Sequence, residues 1–176
     1  MRKFRCIYYM IIYIKELNIV PEPEVVSFLG HCQKLKKKGV HPTYGFVFDN
    51  SYYDPNTKDS FLVNAQHDIT TCVGFCIKVI RGFLYNHEEY LKIVDWSNLN
   101  IEEIDPRVVE YINHFLEKYA KANNISVDEL FDKGDLKRIT PSEILTSTYF
   151  QDLPISKTSI DEIRPDLEEY FLKMVA

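Results

Sequence analysis

The chain has 176 residues, of which 45% are apolar and 27% charged, with a formal net charge of −5. That balance excludes intrinsic disorder, and a chain of this length buries enough apolar surface to hold a core without disulfides or a structural metal. Charge is uneven: residues 1–42 carry net +5, 43–85 net −1 and 86–176 net −9, which argues against wrapping nucleic acid and leaves the basic first quarter open to a local anionic contact.

Met1 to Arg5 followed by the apolar run Cys6 to Ile14 has the order of a signal peptide. The run is too short to span a bilayer, and no small-residue cleavage site follows. Its density of Ile and Tyr fits a buried strand near 4–14. Pro21 to Glu24 then open a helix over 22–38, because Pro and acidic residues suit a first turn. Val25, Phe28, Leu29, Cys32 and Leu35 repeat at helical spacing, and Gly39 ends the segment.

Short apolar runs near 44–49 and 61–65 flank the turn-forming string Asp54 to Asp59, which predicts a β-hairpin with a long loop. Residues 68–85 fit two periods. As a strand, Val73, Phe75, Ile77 and Val79 alternate. As a helix capped by Asp68, Ile69, Cys72, Val73, Cys76, Val79, Ile80, Phe83 and Leu84 form one stripe, with Thr71, Gly74, Lys78 and Arg81 opposite. The length of the stripe favours the helix.

The second half reads as helices. Asp105-Pro106 caps a helix over 106–122, with Val108, Tyr111, Ile112, Phe115, Leu116 and Tyr119 inward. Ser126 and Glu129 form a capping box for a helix over 126–132, and Thr140 and Glu143 another for 141–150. Pro165 is expected to start the last helix, 165–175, with Leu167, Tyr170, Phe171 and Met174 inward. The expected fold class is α+β, with a small mixed or antiparallel sheet in the N-terminal half packed against helices. One domain over 1–176 is expected; the alternative division is an α+β core over 1–95 and a helical subdomain over 96–176.

Three groups carry candidate chemistry. Cys72 falls in the first turn of the candidate helix, where the N-terminus stabilises a thiolate, the nucleophilic form. The string Thr71-Cys72-Val73-Gly74-Phe75 resembles the nucleophile segment of NlpC/P60-type and related papain-like hydrolases. That resemblance implies Cys72 as nucleophile and His41 or His67 as base, although Thr71 stands where Asp or Asn is usual and no third polar partner is specified. The alternative is that Cys72 and Cys76 are small core residues on an inward face. As metal ligands, His67, Cys72 and Cys76 lack a fourth partner, so no metal is expected. Lys34, Lys36, Lys37 and Lys38 form a basic cluster suited to an anionic contact, or simply to offsetting a helix dipole. The segment Tyr119 to Phe131 is similar to the closing helices of helix-turn-helix repressors, but it is acidic and a generic helical corner suffices.

Phosphate loops and a GxSxG elbow are absent, and no cofactor is expected. With no complete catalytic constellation and 12 Tyr and 11 Phe in the chain, the sequence favours a non-catalytic binding or regulatory protein, inhibitor- or immunity-like. Its partner is expected to be another protein that meets an acidic helical face, with nucleic acid disfavoured and no membrane role. Four scattered cysteines fit reduced thiols in a cytoplasmic or host-intracellular setting. The thiol hydrolase centred on Cys72 is the alternative, and the oligomeric state stays open.

Overall fold

The computed structural model describes residues 18–46, 49–57, 61–130 and 136–175. The strand expected near 4–14 lies outside them. The remainder is an α+β arrangement of two small strand pairs among five helices. No helix among the described residues is long and apolar enough to cross a membrane.

One turn of 3-10 helix at Glu22–Glu24 leads into α1, Val25–Lys37, and Gly39 at φ 71° turns the chain out of it. His31 and Leu35, one turn apart, are its buried residues, and Phe28 packs edge-on against Phe83 at 5.1 Å. Val25 and Leu29, expected inward, are exposed, because the buried line of α1 runs through the His31 side of the helix.

The expected hairpin forms, with a different first strand. Strand β2, Tyr52–Tyr53, pairs antiparallel with β3, Leu62–Val63. Asp54 sets the turn, accepting the Asn56 N–H at Oδ1 (2.8 Å) and the Thr57 hydroxyl at its carbonyl (2.9 Å). The strand placed at 44–49 is instead β1, Thr43–Tyr44, which pairs parallel with β4, Ile69–Thr70, in the register Thr43↔Ile69 and Tyr44↔Thr70. Asp49 interrupts that run by accepting the Ser51 N–H (3.2 Å), a local turn that competes with extended pairing.

Of the two readings of 68–85 the helix holds, and Val73, Phe75, Ile77 and Val79, which alternate as a strand would, all lie inside it. Ile69–Thr70 is strand, and Cys72–Phe83 is α2. The cap is Thr71 rather than Asp68: Thr71 Oγ1 accepts the Gly74 N–H at 3.0 Å, while Asp68 is engaged by Tyr53. Helix α2 is central, contributing Val73, Ile77 and Ile80 to a core with Tyr90, Trp96, Ile155 and Ile160. Its Val79 joins Leu35, Tyr53 and Leu62 in a second core cluster.

Asp105 caps α3, Pro106–Asn123, and Asn124 at φ 56° closes it in the left-handed conformation. Ile112, Leu116 and Ala120 pack with Ile69 and Leu130, whereas Val108 and Tyr111, expected inward, are exposed. The Ser126–Glu129 capping box opens only a 3-10 turn, Val127–Glu129. The Thr140–Glu143 box opens α4, Pro141–Ser147.

The last helix, α5, is Lys157–Val175 and contains Pro165. It starts earlier than expected because Ser156, not Pro165, opens it: Ser156 Oγ accepts the Ser159 N–H at 3.1 Å. The proline is exposed. Ile160 is its fully buried residue, and Tyr170, expected inward, is exposed. Of the other residues expected to face inward, Leu167 is half-buried, and the side chains of Phe171 and Met174 lie outside the description.

Candidate functional site

Cys72 stands at the first residue of α2 and is exposed, as is Cys76 one turn on. The inward face is the neighbouring line through Val73, Ile77 and Ile80, so the core reading of these two thiols is corrected. Tyr44 lies beside Cys72: partial burial, reinforced by Cys72 and Tyr111, pushes the Tyr44 phenol above its ordinary range, with Arg138 opposing.

The two candidate bases are elsewhere. His41 precedes β1 and His67 precedes β4, so the parallel register puts both at the end of the pair opposite Cys72. Extended chain advances about 3.3 Å per residue, so the five-residue step from His67 to Cys72 spans at most roughly 16 Å. The His67 ring instead meets the Tyr119 hydroxyl, at 3.2 Å from Nδ1. Among the described residues, no three His, Cys, Asp or Glu side chains converge as a metal site needs.

A polar cluster lies under α2, around Lys78 of the stripe opposite the apolar one. Lys78 is 1% exposed, with Nζ 3.4 Å from Asp49 Oδ1 and 3.9 Å from Asp68 Oδ1. Asp49 also accepts the Ser51 hydroxyl, and Asp68 accepts that of Tyr53 at 2.7 Å. Burial raises the Asp68 pKa, outweighing the lowering effects of the Tyr53 hydrogen bond and Lys78. Burial, with Asp68 accepting its proton and Asp68 and Asp49 nearby, pushes the Tyr53 phenol far above its usual range. The chemistry available here is a buried ionic bolt between α2 and the strands. The missed signal was Gly74 and Lys78 on one face of a helix otherwise dense in apolar residues.

The basic cluster of α1 divides. Lys34 Nζ donates to Asn56 Oδ1 (3.2 Å) and Lys38 Nζ to the Thr57 carbonyl (2.9 Å), so these two clamp the hairpin turn to the helix. Lys36 and Lys37 are exposed.

Helix α3 presents the most distinctive surface. On one flank Val108 and Tyr111 are 41% and 59% exposed. The Tyr111 ring meets Phe115 at 4.9 Å and Tyr44 at 6.3 Å, both edge-on. A groove of about 360 Å³ continues this patch between Pro42, Tyr44, Phe115, Lys118 and Tyr119. Residues 108, 111, 115 and 119 share this flank by helical spacing.

The opposite flank carries a larger groove, about 620 Å³, between α3 and the preceding turn Ile101–Glu103. Ile101, Ile104 and Val109 supply its apolar floor, and Glu102, Glu110 and Glu117 its rim. Among the described residues, no ion pair engages these three carboxylates. A smaller cavity of about 40 Å³ adjoins the groove at Ile101, Val109 and Asn113, and reaches Phe46, Leu99 and Leu136.

No protein-family model matches this chain, and no curated protein or solved structure is similar enough to it to be matched.

Proposed function

We propose that this chain is a non-catalytic binding protein that regulates a protein partner through the aromatic flank of α3. The observation that carries this reading is the exposed line Val108, Tyr111 and half-buried Phe115, set edge to edge with Tyr44 beside an open groove. Leaving aromatic surface in water forfeits hydrophobic stabilisation of about 25 cal/mol per Å², and Tyr is among the residue types enriched as interface anchors. The carboxylates on the other flank, without an ion pair among the described residues, add a steering field for a basic partner.

A photo-crosslinking residue placed at Tyr111 tests this reading in native host cells. One protein should be captured at moderate salt, and Phe115→Ala should abolish its capture while Tyr85→Ala, on another exposed aromatic, leaves it intact. Capture of nothing, or capture indifferent to Phe115→Ala, overturns the reading.

The thiol hydrolase is kept as a second reading by one observation, the exposure of Cys72 at a helix start. It requires an imidazole to reach the sulfur, whereas His41 and His67 sit at the far end of the strand pair. Cys72→Ser separates the two readings: a hydrolase loses all turnover, and a binding protein keeps its partner.

A further inference from the structure

Resting on the reading of the chain as a binding protein, we infer that the second flank of α3 takes a basic segment of the partner that seats one small aliphatic side chain in the groove floor. The two kinds of lining specify the occupant separately. Glu110 and Glu117 are two helical turns apart on one flank, about 10 Å along the axis, and Glu102 faces them from the turn before α3. Three carboxylates with no ion pair among the described residues leave a concentrated negative field over a concave surface. Low-dielectric walls focus such a field, so a cationic segment is drawn in and an acidic one repelled.

Charge alone would accept any polycation. The floor adds discrimination: it is apolar at Ile101, Ile104 and Val109, and it opens into the cavity of about 40 Å³ bounded by Leu99 and Leu136. Its apolar walls suit a small aliphatic end rather than a polar one. Ile101 is 45% exposed at its mouth, apolar surface that an aliphatic anchor would cover. Nucleic acid is disfavoured by the sign of the rim, because phosphates would meet three carboxylates.

The test uses the intact chain and three short labelled helical peptides, read by fluorescence anisotropy. One alternates Lys and Leu at amphipathic spacing, one has Glu for each Lys, and one has Ala for each Leu. The Lys/Leu peptide is expected to bind more tightly than either, and more weakly as salt rises. The double reversal Glu110→Lys with Glu117→Lys should weaken it by roughly tenfold or more. Glu88→Lys with Glu162→Lys changes net charge equally on exposed residues elsewhere and should leave it nearly unchanged. Equal weakening by both pairs means non-specific attraction and overturns the inference, as does equal binding of the Lys/Ala peptide. Binding lost with Phe115→Ala but not with the Glu110/Glu117 pair places the basic segment on the aromatic flank. The inference then fails while the binding reading survives, since partner capture at Tyr111 is independent of these peptides.

Discussion

Gly82 of α2 lies directly on the carbonyl of Tyr53: a methyl group on Gly82 would fall 1.8 Å from that oxygen. The approach explains a glycine inside a helix, where it costs about 1 kcal/mol relative to alanine. The helix crosses β2 on its backbone at this point, and the side chains of Tyr53, Val79 and Leu35 close around the contact. Gly82→Ala is therefore expected to destabilise the fold by about 3 kcal/mol despite the gain in helix propensity, since the neighbour is backbone and cannot swing away. Urea unfolding reads the change; a variant as stable as the parent would mean that α2 and β2 do not meet in this way.

Replacing Lys78 tests the ionic bolt. Lys78→Met keeps the length of the stem and removes the charge between Asp49 and Asp68. Breaking a buried pair costs about 3–5 kcal/mol when the remaining charge is sealed from water. Here the two carboxylates keep 25% and 18% exposure, so a loss nearer ~2 kcal/mol is expected. A neutral or stabilising result in equilibrium unfolding would assign the cation no structural part.

Acid should act on two groups in opposite senses. Burial lowers the His31 pKa, against the raising effect of its hydrogen bond to the Val79 carbonyl (3.1 Å). The unfolded chain therefore binds a proton at His31 first, and stability falls as pH drops below about 6.5 towards the folded value. Asp68, raised by burial, gives the reverse: the folded state binds its proton first, so ionisation costs stability as pH rises from about 4 through the folded value. Chemical unfolding across pH 3–8 should show His31→Gln flattening the upper window and Asp68→Asn the lower. Unchanged profiles in both variants would refute the assignments.

The thiols should rank by exposure. Cys72 is exposed, whereas burial raises the thiol pKa of half-buried Cys32 and also that of Cys76. Iodoacetamide on the folded protein, resolved by peptide mass spectrometry, should modify Cys72 before Cys32, since only thiolate reacts and access limits the rate. Faster labelling of Cys32 would contradict the packing of α1 on α2.

Legibility in the sequence followed the locality of the cause. Capping at Asp105, Thr140 and Ser126 involves neighbours within three residues, and each cap forms. Strand pairing was misplaced because register depends on partners far along the chain: Thr43 pairs with Ile69 across the intervening hairpin. Pro165 misled because an interior proline costs a helix one hydrogen bond and crowds the carbonyl four residues back without forbidding the helix, and α5 runs through it. Of the candidate site residues, Cys72 is where helix-start reasoning put it, while the positions of His41 and His67 follow from the parallel register, which no local pattern encodes. The α3 surface was half visible. Its apolar spacing was plain, but which part of so broad a stripe stays in water is decided by the width of the facing core, Ile69 and Leu130.

The crossover joining β1 to β4 is a hairpin where parallel strands usually employ a helix. That choice bears on the entropy of closing the pair. Tyr52–Tyr53 and Leu62–Val63 pair over a short span, and that pairing shortens the chain that has to close between Thr43 and Ile69. Loop entropy grows only as the logarithm of length, so the shortcut removes roughly half a kcal/mol from that closure. The hairpin is thereby the spacer that holds the two parallel strands within reach of each other.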